Sequence, residues 1–472
     1  MTKPTFLIAA PKSNSGKTLI TLGLIKAISD QGYCVQPFKC GPDYIDPMHH
    51  TAIAGRSSYN LDLWMSSESH VKSIFHSQMK DAGVGVVEGV MGLFDGARKD
   101  EGSSAAIARL LDVPVVLVVD ASSVAYSVAP LLYGFKHFDR GIRLAGVIFN
   151  KVAGDSHYQF LKEAAEDSGV KALGYVPRDK ALAIDDRHLG LHMPGEGKEA
   201  EIVKKAADLI KEHVLVPALL EAAGGVPGEN TKHPDSSGFC HSERSEESLC
   251  QQSSLPQSVR NNKCGDFGEA SFESQNLKIA IASDKAFNFT YQANLDCLKA
   301  LGTLEYFSPI SDKNLPDADL IWLPGGYPEL FAGELSKNRL MLSAIRKFAE
   351  SGKAIVAECG GMMYLGKEII LKDGSSFPMA GVFDFSTSFK DMKLHLGYRE
   401  VSGEPFSLRG HEFHYSELLN ACTTPEYVVK SARGKQIEMP VFRHKGVWAS
   451  YMHLYLGEPG RMKRFLKLVL GD

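Results

Sequence analysis

The sequence predicts an α/β protein made of two doubly wound units in tandem, and three observations lead there. Near-continuous apolar runs such as Val113–Asp120 (VPVVLVVD) and Leu144–Asn150 (LAGVIFN) alternate with helical patterns, as parallel strands buried on both faces do. The alternation stops over 224–276, which is rich in Gly, Ser, Pro and charge and poor in aliphatics, and resumes at Leu277–Ile281 (LKIAI). A stretch of that composition buries too little apolar area to offset its ordering entropy. A chain of 472 residues also exceeds what one core normally holds. The expected organisation is one unit over 1–223, a flexible linker or insertion over 224–276, and a second unit over 277–472.

Composition narrows the class. Hydrophobic residues make up 44%, charged residues 23% and aromatic residues 9%, the profile of a globular protein. The net charge is −4 and no broad basic run occurs, which argues against nucleic acid as a partner. No apolar run reaches the length of a membrane span, so no membrane partner is expected. The first residues, MTKPTFLIAAPKSNSGKT, enter a fold motif directly, so no signal peptide is expected ahead of it. Eight cysteines are scattered without CxxC pairs, so a reduced, cytoplasmic protein without structural zinc is expected.

In the first half, Thr5–Ala10 (TFLIAA) reads as a strand, Pro11–Gly16 as a loop and Lys17–Ser29 as an amphipathic helix. The loop ends in Ser15, Gly16, Lys17 and Thr18, the second half of a phosphate-binding loop. In such a loop backbone N–H groups cradle phosphate, the lysine reaches the outer phosphates and the hydroxyl ligates Mg²⁺. Pro11 stands where the GxxxxGKS/T pattern has its first glycine; starting one residue earlier, at Ala10, gives a longer loop of the same kind. A turn-rich segment, Pro37–Pro47, follows a short strand, a helix is expected around 67–80, and Val84–Val90 is a strand that opens into a glycine-rich loop. Loops at the C-terminal ends of parallel strands line the ligand crevice, which places Asp43, Glu88 and Asp95 near the phosphate site. For each of them a solvated loop carboxylate is the alternative. Asn150 ends a late strand, where a side chain can read adenine. Arg187 and His188 either contact substrate or nucleotide, or belong to a surface loop that packs Leu189 and Leu191. A helix over 198–223 closes the unit.

In the second half, Phe287–Ala300 reads as helix, Leu304–Phe307 as strand, and Asp319–Leu323 as a strand opening into Pro324, Gly325, Gly326, Tyr327, Pro328 and Glu329. Bare glycine N–H groups after a strand can face an anion. Leu340–Glu350 reads as helix. Lys353–Leu365 (KAIVAECGGMMYL) is a short buried strand, a Cys359-Gly360-Gly361 turn and an apolar helix start, the context of a nucleophile elbow. Cys359 is the expected nucleophile, with the N–H groups of Gly360 and Gly326 as an oxyanion hole; the competing reading is a buried structural cysteine. A partner base decides between them. Gly446–Met452 (GVWASYM) leads into His453, read as a strand that ends in histidine, and a Cys/His pair from separate strand ends is what thiolate activation requires. His411 and His414, in GHEFHYS, are competing histidines in a segment that reads as a substrate-contacting strand or as packing.

The segments PGGYPEL, AECGGMMYL, GHEFHYS and ASYMHLYL, behind SGKT, KCGPDYIDP, VEGVMGLFDG and DRHLGL, resemble the cobyrinic acid a,c-diamide synthase family over nearly the whole chain except 224–276. The resemblance implies a P-loop, dethiobiotin-synthetase-like ATP domain followed by a flavodoxin-like class I glutamine amidotransferase domain. It implies that glutamine is hydrolysed at Cys359. The ammonia then amidates the a and c acetate carboxylates of a corrinoid after ATP has converted each to an acyl phosphate. Ser15, Gly16, Lys17, Thr18 and Asn150 are then expected at ATP, and Thr18, Asp43 and Glu88 at Mg²⁺. Asp95 is expected near the substrate carboxylate, with Tyr44 and Ile45 choosing which acetate is presented. ATP and L-glutamine are the expected co-substrates, and a homodimer is compatible with the resemblance. Tyr455 stands two residues after His453, where many class I amidotransferases have Glu, so a Cys359–His453 dyad is expected. Hydrogenobyrinic acid and nickel sirohydrochlorin carry the same acetates and stay open as substrates. The alternative of another class is a nucleotide-switch ATPase with an inactive C-terminal scaffold.

Overall fold

The computed structural model describes residues 3–182, 199–225, 276–403, 406–421 and 427–471; Arg187 and His188 lie outside them. The chain divides into two compact units, one up to His241 and the other from Ser242.

The first unit begins with β1 (Thr5–Ala9), α1 (Lys17–Ser29), β2 (Val35–Cys40), α2 (Ile45–Ala54), β3 (Tyr59–Leu61), α3 (Glu68–Met79) and β4 (Val84–Glu88). It continues with α4 (Ser104–Leu111), β5 (Val115–Asp120), α5 (Val128–His137), β6 (Leu144–Val152), α6 (Asp155–Asp167), β7 (Ala172–Pro177), α7 (Glu199–His213) and α8 (Val216–Ala222). The strands form one sheet in the order β3-β2-β4-β1-β5-β6-β7. Every ladder in it is parallel. The uninterrupted apolar runs follow from this, because both faces are covered. Phe6, Ile8, Val116 and Ile148 pack with Leu24 of α1 and Ile210 of α7 on one side. Leu117, Val147 and Phe149 pack with Leu132 of α5 and Leu161 of α6 on the other. Strand β1 is central, with β4 on one side and β5 on the other, so the loops after these three strands open on one crevice. The single helix expected over 198–223 is two. Pro217 has no N–H to donate, and the Leu215 N–H turns instead to Leu173 O at 2.8 Å, which breaks the helix between α7 and α8.

The second unit opens with β8 (Leu277–Ala282), α9 (Gln292–Leu301), β9 (Gly302–Phe307), β10 (Leu320–Leu323), α10 (Ala332–Lys337), α11 (Arg339–Glu350), β11 (Ala354–Glu358) and α12 (Gly360–Leu365). Short strands follow: β12 (Glu368–Ile370), β13 (Ser376–Pro378), β14 (Ser386–Ser388), β15 (His395–Gly403), β16 (Phe406–His414), β17 (Glu417–Leu419) and β18 (Val428–Ser431). The unit ends with β19 (Val441–His444), β20 (Val447–Ser450), β21 (Met452–Leu454) and α13 (Arg461–Leu470). Its main sheet runs β19-β20-β11-β10-β8-β9. It is parallel but for the edge strand β19. The order is that of a doubly wound flavodoxin-like sheet with one added edge strand, as expected. Trp322, Val356 and Trp448 lie fully buried in its core.

Two further four-stranded sheets, β13-β12-β14-β17 and β18-β15-β16-β21, were not expected, although the GHEFHYS segment read as a strand lies mostly in β16. Most of their strands have three or four residues, too few to display a period. Two boundaries also differ, and both differences lie at the thiol site. Residues 287–291 are not helical, because the N–H groups of Asn288 and Phe289 both donate to Gly325 O at 3.0 Å. The strand read as running into His453 breaks after Ser450: β20 stays beside β11, whereas β21 joins β16 in another sheet.

Candidate active site

In the first unit the chain turns from β1 through the phosphate loop into α1. Gly16 is left-handed at φ 88°, and a β-carbon there would lie 2.1 Å from Asn150 Nδ2, so only glycine fits. Asn150 Nδ2 donates to Ser15 O at 3.0 Å, and its Oδ1 accepts from the Lys151 N–H. Asn150 therefore braces the phosphate loop in this state. Lys17 Nζ donates to Met91 O at 2.5 Å, which bridges the loops after β1 and β4. Asp95, on the same β4 loop, is exposed and accepts the Gly92 N–H at 2.9 Å. Burial, with Lys39 adding to it, holds Lys17 below the ordinary lysine pKa, while Asp95 is among the carboxylates that oppose this.

Beneath the loop lies a buried ionic cluster. The Thr18 hydroxyl donates to Glu88 Oε1 at 2.7 Å and lies 3.4 Å from Asp46 Oδ2. Lys39 Nζ meets Glu88 Oε1 at 3.0 Å, Asp43 Oδ2 at 3.6 Å, and Asp46. His50 Nε2 lies 2.8 Å from the other Glu88 oxygen. Burial works to raise Glu88, but Lys39, His50 and Thr18 outweigh it and hold it below the usual carboxylate range. Burial, then Asp43 and Glu88, push Asp46 well above that range. Three carboxyl groups thus converge on one ammonium. Thr18, Asp43, Asp46 and Glu88 contribute oxygen donors, the kind that Mg²⁺ takes, with His50 Nε2 held by Glu88.

Thr18 and Glu88 meet as expected, whereas Asp46 and not Asp43 is the aspartate within reach of Thr18. Asp43 spends one oxygen on the Asp46 N–H at 3.1 Å, at the start of α2. Lys39, Asp46 and His50 are absent from the sequence reading of the site. Lys39 and Asp46 stood in the turn-rich segment beside Asp43; nothing local marked His50. Tyr44 and Ile45 begin α2 beside the cluster and are mostly buried. A cavity of about 280 Å³ lies beside the phosphate loop, between the ends of β1 and β5, with Pro11, Lys12, Ser15, Asp120, Ser127 and Leu131 among its walls.

In the second unit β11 ends at Glu358, and Cys359 takes φ 46° and ψ −103° before α12 begins at Gly360. Such a backbone is costly for a residue with a β-carbon and marks a strained elbow. The Gly360 N–H faces the Cys359 sulfur, and the thiol's carbonyl partner is Phe413 O at 3.8 Å. A β-carbon on Gly360 would lie 3.1 Å from Gly326 N, so the two proposed oxyanion amides are neighbours.

Contacts of backbone and side chain bring His453 to this elbow. A β-carbon on Gly325 would lie 2.2 Å from His453 Cε1, so the imidazole rests on that glycine. Glu358 Oε1 accepts the Leu454 N–H at 2.9 Å, and the Cys359 N–H donates to Ser450 O at 2.8 Å. The residues on either side of the nucleophile and the base are therefore tied together. His411 pairs with His453 across the β16–β21 ladder, and their rings stack with centroids 4.8 Å apart. His411 Nδ1 is 2.9 Å from the Tyr291 hydroxyl, and Tyr291 in turn packs edge-on against Tyr455. Tyr291, His411 and Tyr455 thus form an aromatic wall beside His453. Burial, then His411 and His414, hold His453 well below the ordinary imidazole pKa. Burial and then Glu329 push the Cys359 thiol up. Both shifts favour the uncharged forms.

Glu358 is buried, and its burial raises its pKa to about 8 against the Leu454 hydrogen bond. Below about pH 4.5 the carboxyl is protonated whether the chain is folded or not; between there and about 8 the folded state keeps a proton that the unfolded state releases. Its contribution to stability is therefore full at low pH and is lost as pH rises through about 8. Glu358→Gln keeps an acceptor for Leu454 and removes the titration. Between about pH 5 and about pH 8 the variant is expected to lose less Tm than the parent in calorimetric scans; parallel Tm curves would refute this.

Two family models match the chain, a CobQ/CobB/MinD/ParA nucleotide binding domain over residues 6–191 and a CobB/CobQ-like glutamine amidotransferase domain over residues 278–460. Among curated proteins, the hydrogenobyrinate a,c-diamide synthase of Brucella anthropi is 37% identical, covering 95% of this chain and 98% of that protein. The chain belongs to the a,c-diamide synthase family. The cobyrinate a,c-diamide synthases of Caldanaerobacter subterraneus and Picrophilus torridus are each 37% identical over 98% of this chain. The two matched models of the family fall on the two compact units, the nucleotide-binding one on the Lys17 site and the amidotransferase one on the Cys359 site. No helix among the described residues is long and apolar enough to cross a membrane.

Proposed function

We propose that this chain amidates the a and c acetate carboxylates of cobyrinic acid, with ATP and L-glutamine as co-substrates, in cobalamin biosynthesis. The observation behind this reading is the pairing, in one chain of this family, of a strained Cys359 elbow beside His453 with a Lys17–Thr18–Glu88 phosphate site.

At the thiol site, His453 takes the Cys359 proton and the sulfur attacks the carboxamide carbon of glutamine. The N–H groups of Gly360 and Gly326 hold the developing oxyanion. His453 returns the proton to the departing nitrogen, which leaves as ammonia, and water hydrolyses the thioester to glutamate. A neutral imidazole is competent as the base, and once protonated it is the donor to the leaving group. Substrate binding has to bring the thiol proton within its reach, because the thiol begins protonated.

At the phosphate site, an acetate carboxylate attacks the γ-phosphorus of ATP, giving an acyl phosphate and ADP. Ammonia then displaces phosphate to form the amide. Lys17 releases Met91 O to reach the outer phosphates, and Ser15, Gly16 and Asn150 shape the loop around them. Thr18, Glu88 and Asp46, with Asp43 beside them, would hold Mg²⁺, which when bound neutralises phosphate charge. Asp95 is exposed at the mouth beside Lys17, where it can orient the substrate, and Tyr44 and Ile45 border the same cluster.

The decisive experiment is mass spectrometry of products from cobyrinic acid, hydrogenobyrinic acid and nickel sirohydrochlorin, each with glutamine and MgATP. The expected result is a diamide from cobyrinic acid, formed fastest of the three. A faster reaction with either alternative reassigns the macrocycle, and no amide from any of them overturns the reading.

A further inference from the structure

Beside the thiol site, β15 and β16 bring together three side chains that glutamine hydrolysis does not use. His395, Glu412 and His414 each offer one ligand atom, and these atoms lie within 4.8 Å of one another. His395 and His414 are cross-strand partners, and their rings stack with centroids 4.8 Å apart. Glu412 and His414 are buried, while His395 is half-buried at the start of its strand.

Both ring nitrogens of His414 face acceptors. Its Nδ1 lies 3.0 Å from the carbonyl oxygen of Ser416, and its Nε2 lies 2.9 Å from Glu412 Oε1. Both neighbours are acceptors, but a neutral imidazole has one N–H. The Ser416 hydroxyl is a weaker contact of Nδ1 at 3.5 Å and lies 2.9 Å from the Tyr451 hydroxyl. With the Nδ1 proton on the Ser416 carbonyl, the Nε2 lone pair confronts the Glu412 carboxylate unless a cation stands between them. A second observation concerns the third member: His395 Nε2 is buried without a hydrogen-bond partner among the described residues. The supports of a ligand set are also in place. Arg399 Nε donates to the other Glu412 oxygen at 2.6 Å and fixes that carboxylate, and the Ser416 carbonyl orients His414.

We propose that His395, Glu412 and His414 form a three-ligand site for a divalent transition ion of the zinc class. Two imidazoles and one carboxylate are a set that zinc takes while keeping a fourth position open, and imidazole nitrogen selects against Mg²⁺. Tetrahedral bonds of about 2.0–2.1 Å put ligand atoms roughly 3.3 Å apart. The Glu412–His414 pair, at 2.9 Å, needs only a slight opening, and His395, at the exposed end, turns inward to close the site. The site is separate from the Mg²⁺-type oxygen cluster of the first unit, and it stands whether or not Cys359 is the nucleophile.

The test is titration of the full chain carrying Cys359→Ser with Zn²⁺ and with Co²⁺, after chelator treatment and in millimolar Mg²⁺ to occupy oxygen sites. Expected are a single tight ion per chain, visible d–d bands from Co²⁺ in a low-coordinate nitrogen and oxygen environment, and affinity lower by at least about tenfold in His395→Ala and in Glu412→Gln. His395→Ala shortens a half-exposed side chain, and circular dichroism verifies its fold. No binding, affinity unchanged in a folded His395→Ala, or binding lost only with His453→Ala overturns the proposal.

Discussion

Cys359→Ala is expected to lower glutamine-driven amidation by at least about a thousandfold while leaving amidation driven by free ammonia within roughly twofold of the parent. Nothing in alanine can form the thioester, and its β-carbon places no new demand on the φ of 46° that Cys359 already accepts. The ATP site has its own core and its own ionic cluster in the other unit, so it is untouched. The measurement is the rate of amide formation with each nitrogen source at equal MgATP and corrinoid. Loss of both activities in a folded variant would show that the thiol does more than release ammonia.

Lys17→Ala is expected to do the reverse: amidation falls by about a hundredfold or more with glutamine and with ammonia alike, and glutaminase activity persists. Lys17 is the cation that the phosphate loop can extend, since among the described residues a single hydrogen bond, to Met91 O, tethers its ammonium. Lys39 cannot replace it, because Asp46, Glu88 and Asp43 lock that ammonium in place and hold its pKa well above the lysine range against burial. Phosphate release and amide formation, followed separately from glutamate production, check this. Ammonia-driven amidation at the parent rate would remove Lys17 from the phosphate site.

The parts of the two sites that could be read from the chain are those in which neighbours in sequence are also neighbours in the chemistry. Ser15 to Thr18 act through one turn of backbone, and the flanking strand and helix announce it. Cys359 and Gly360 are the same kind of signal, since a buried strand followed by Cys-Gly-Gly has few other uses. His453 was reachable as a histidine near a late strand end, although the strand itself breaks and changes sheet. Lys39, Asp46 and His50 were harder to assign. A lysine and an aspartate in a loop look solvated, and only the return of the β4 chain with Glu88 shows that they meet in a buried cluster.

His411, Glu412 and His414 were visible as residues and silent as a site. Their partners, Tyr291, Arg399, His395 and His453, come from three other strands or loops, and two of the ladders that align them are antiparallel pairings with no local mark. Strand β16 also buries charge, so it shows no hydrophobic period. By itself the sequence determined the two-unit α/β class and the strand-turn-helix backbones of the phosphate loop and the cysteine elbow, because strand, turn and helix signals act over a few residues. Only the tertiary structure decided which carboxylate faces Thr18, which rings pack beside His453, and where an imidazole pair and a glutamate converge. Those are contacts between segments distant in the chain, set by how sheets pair and pack.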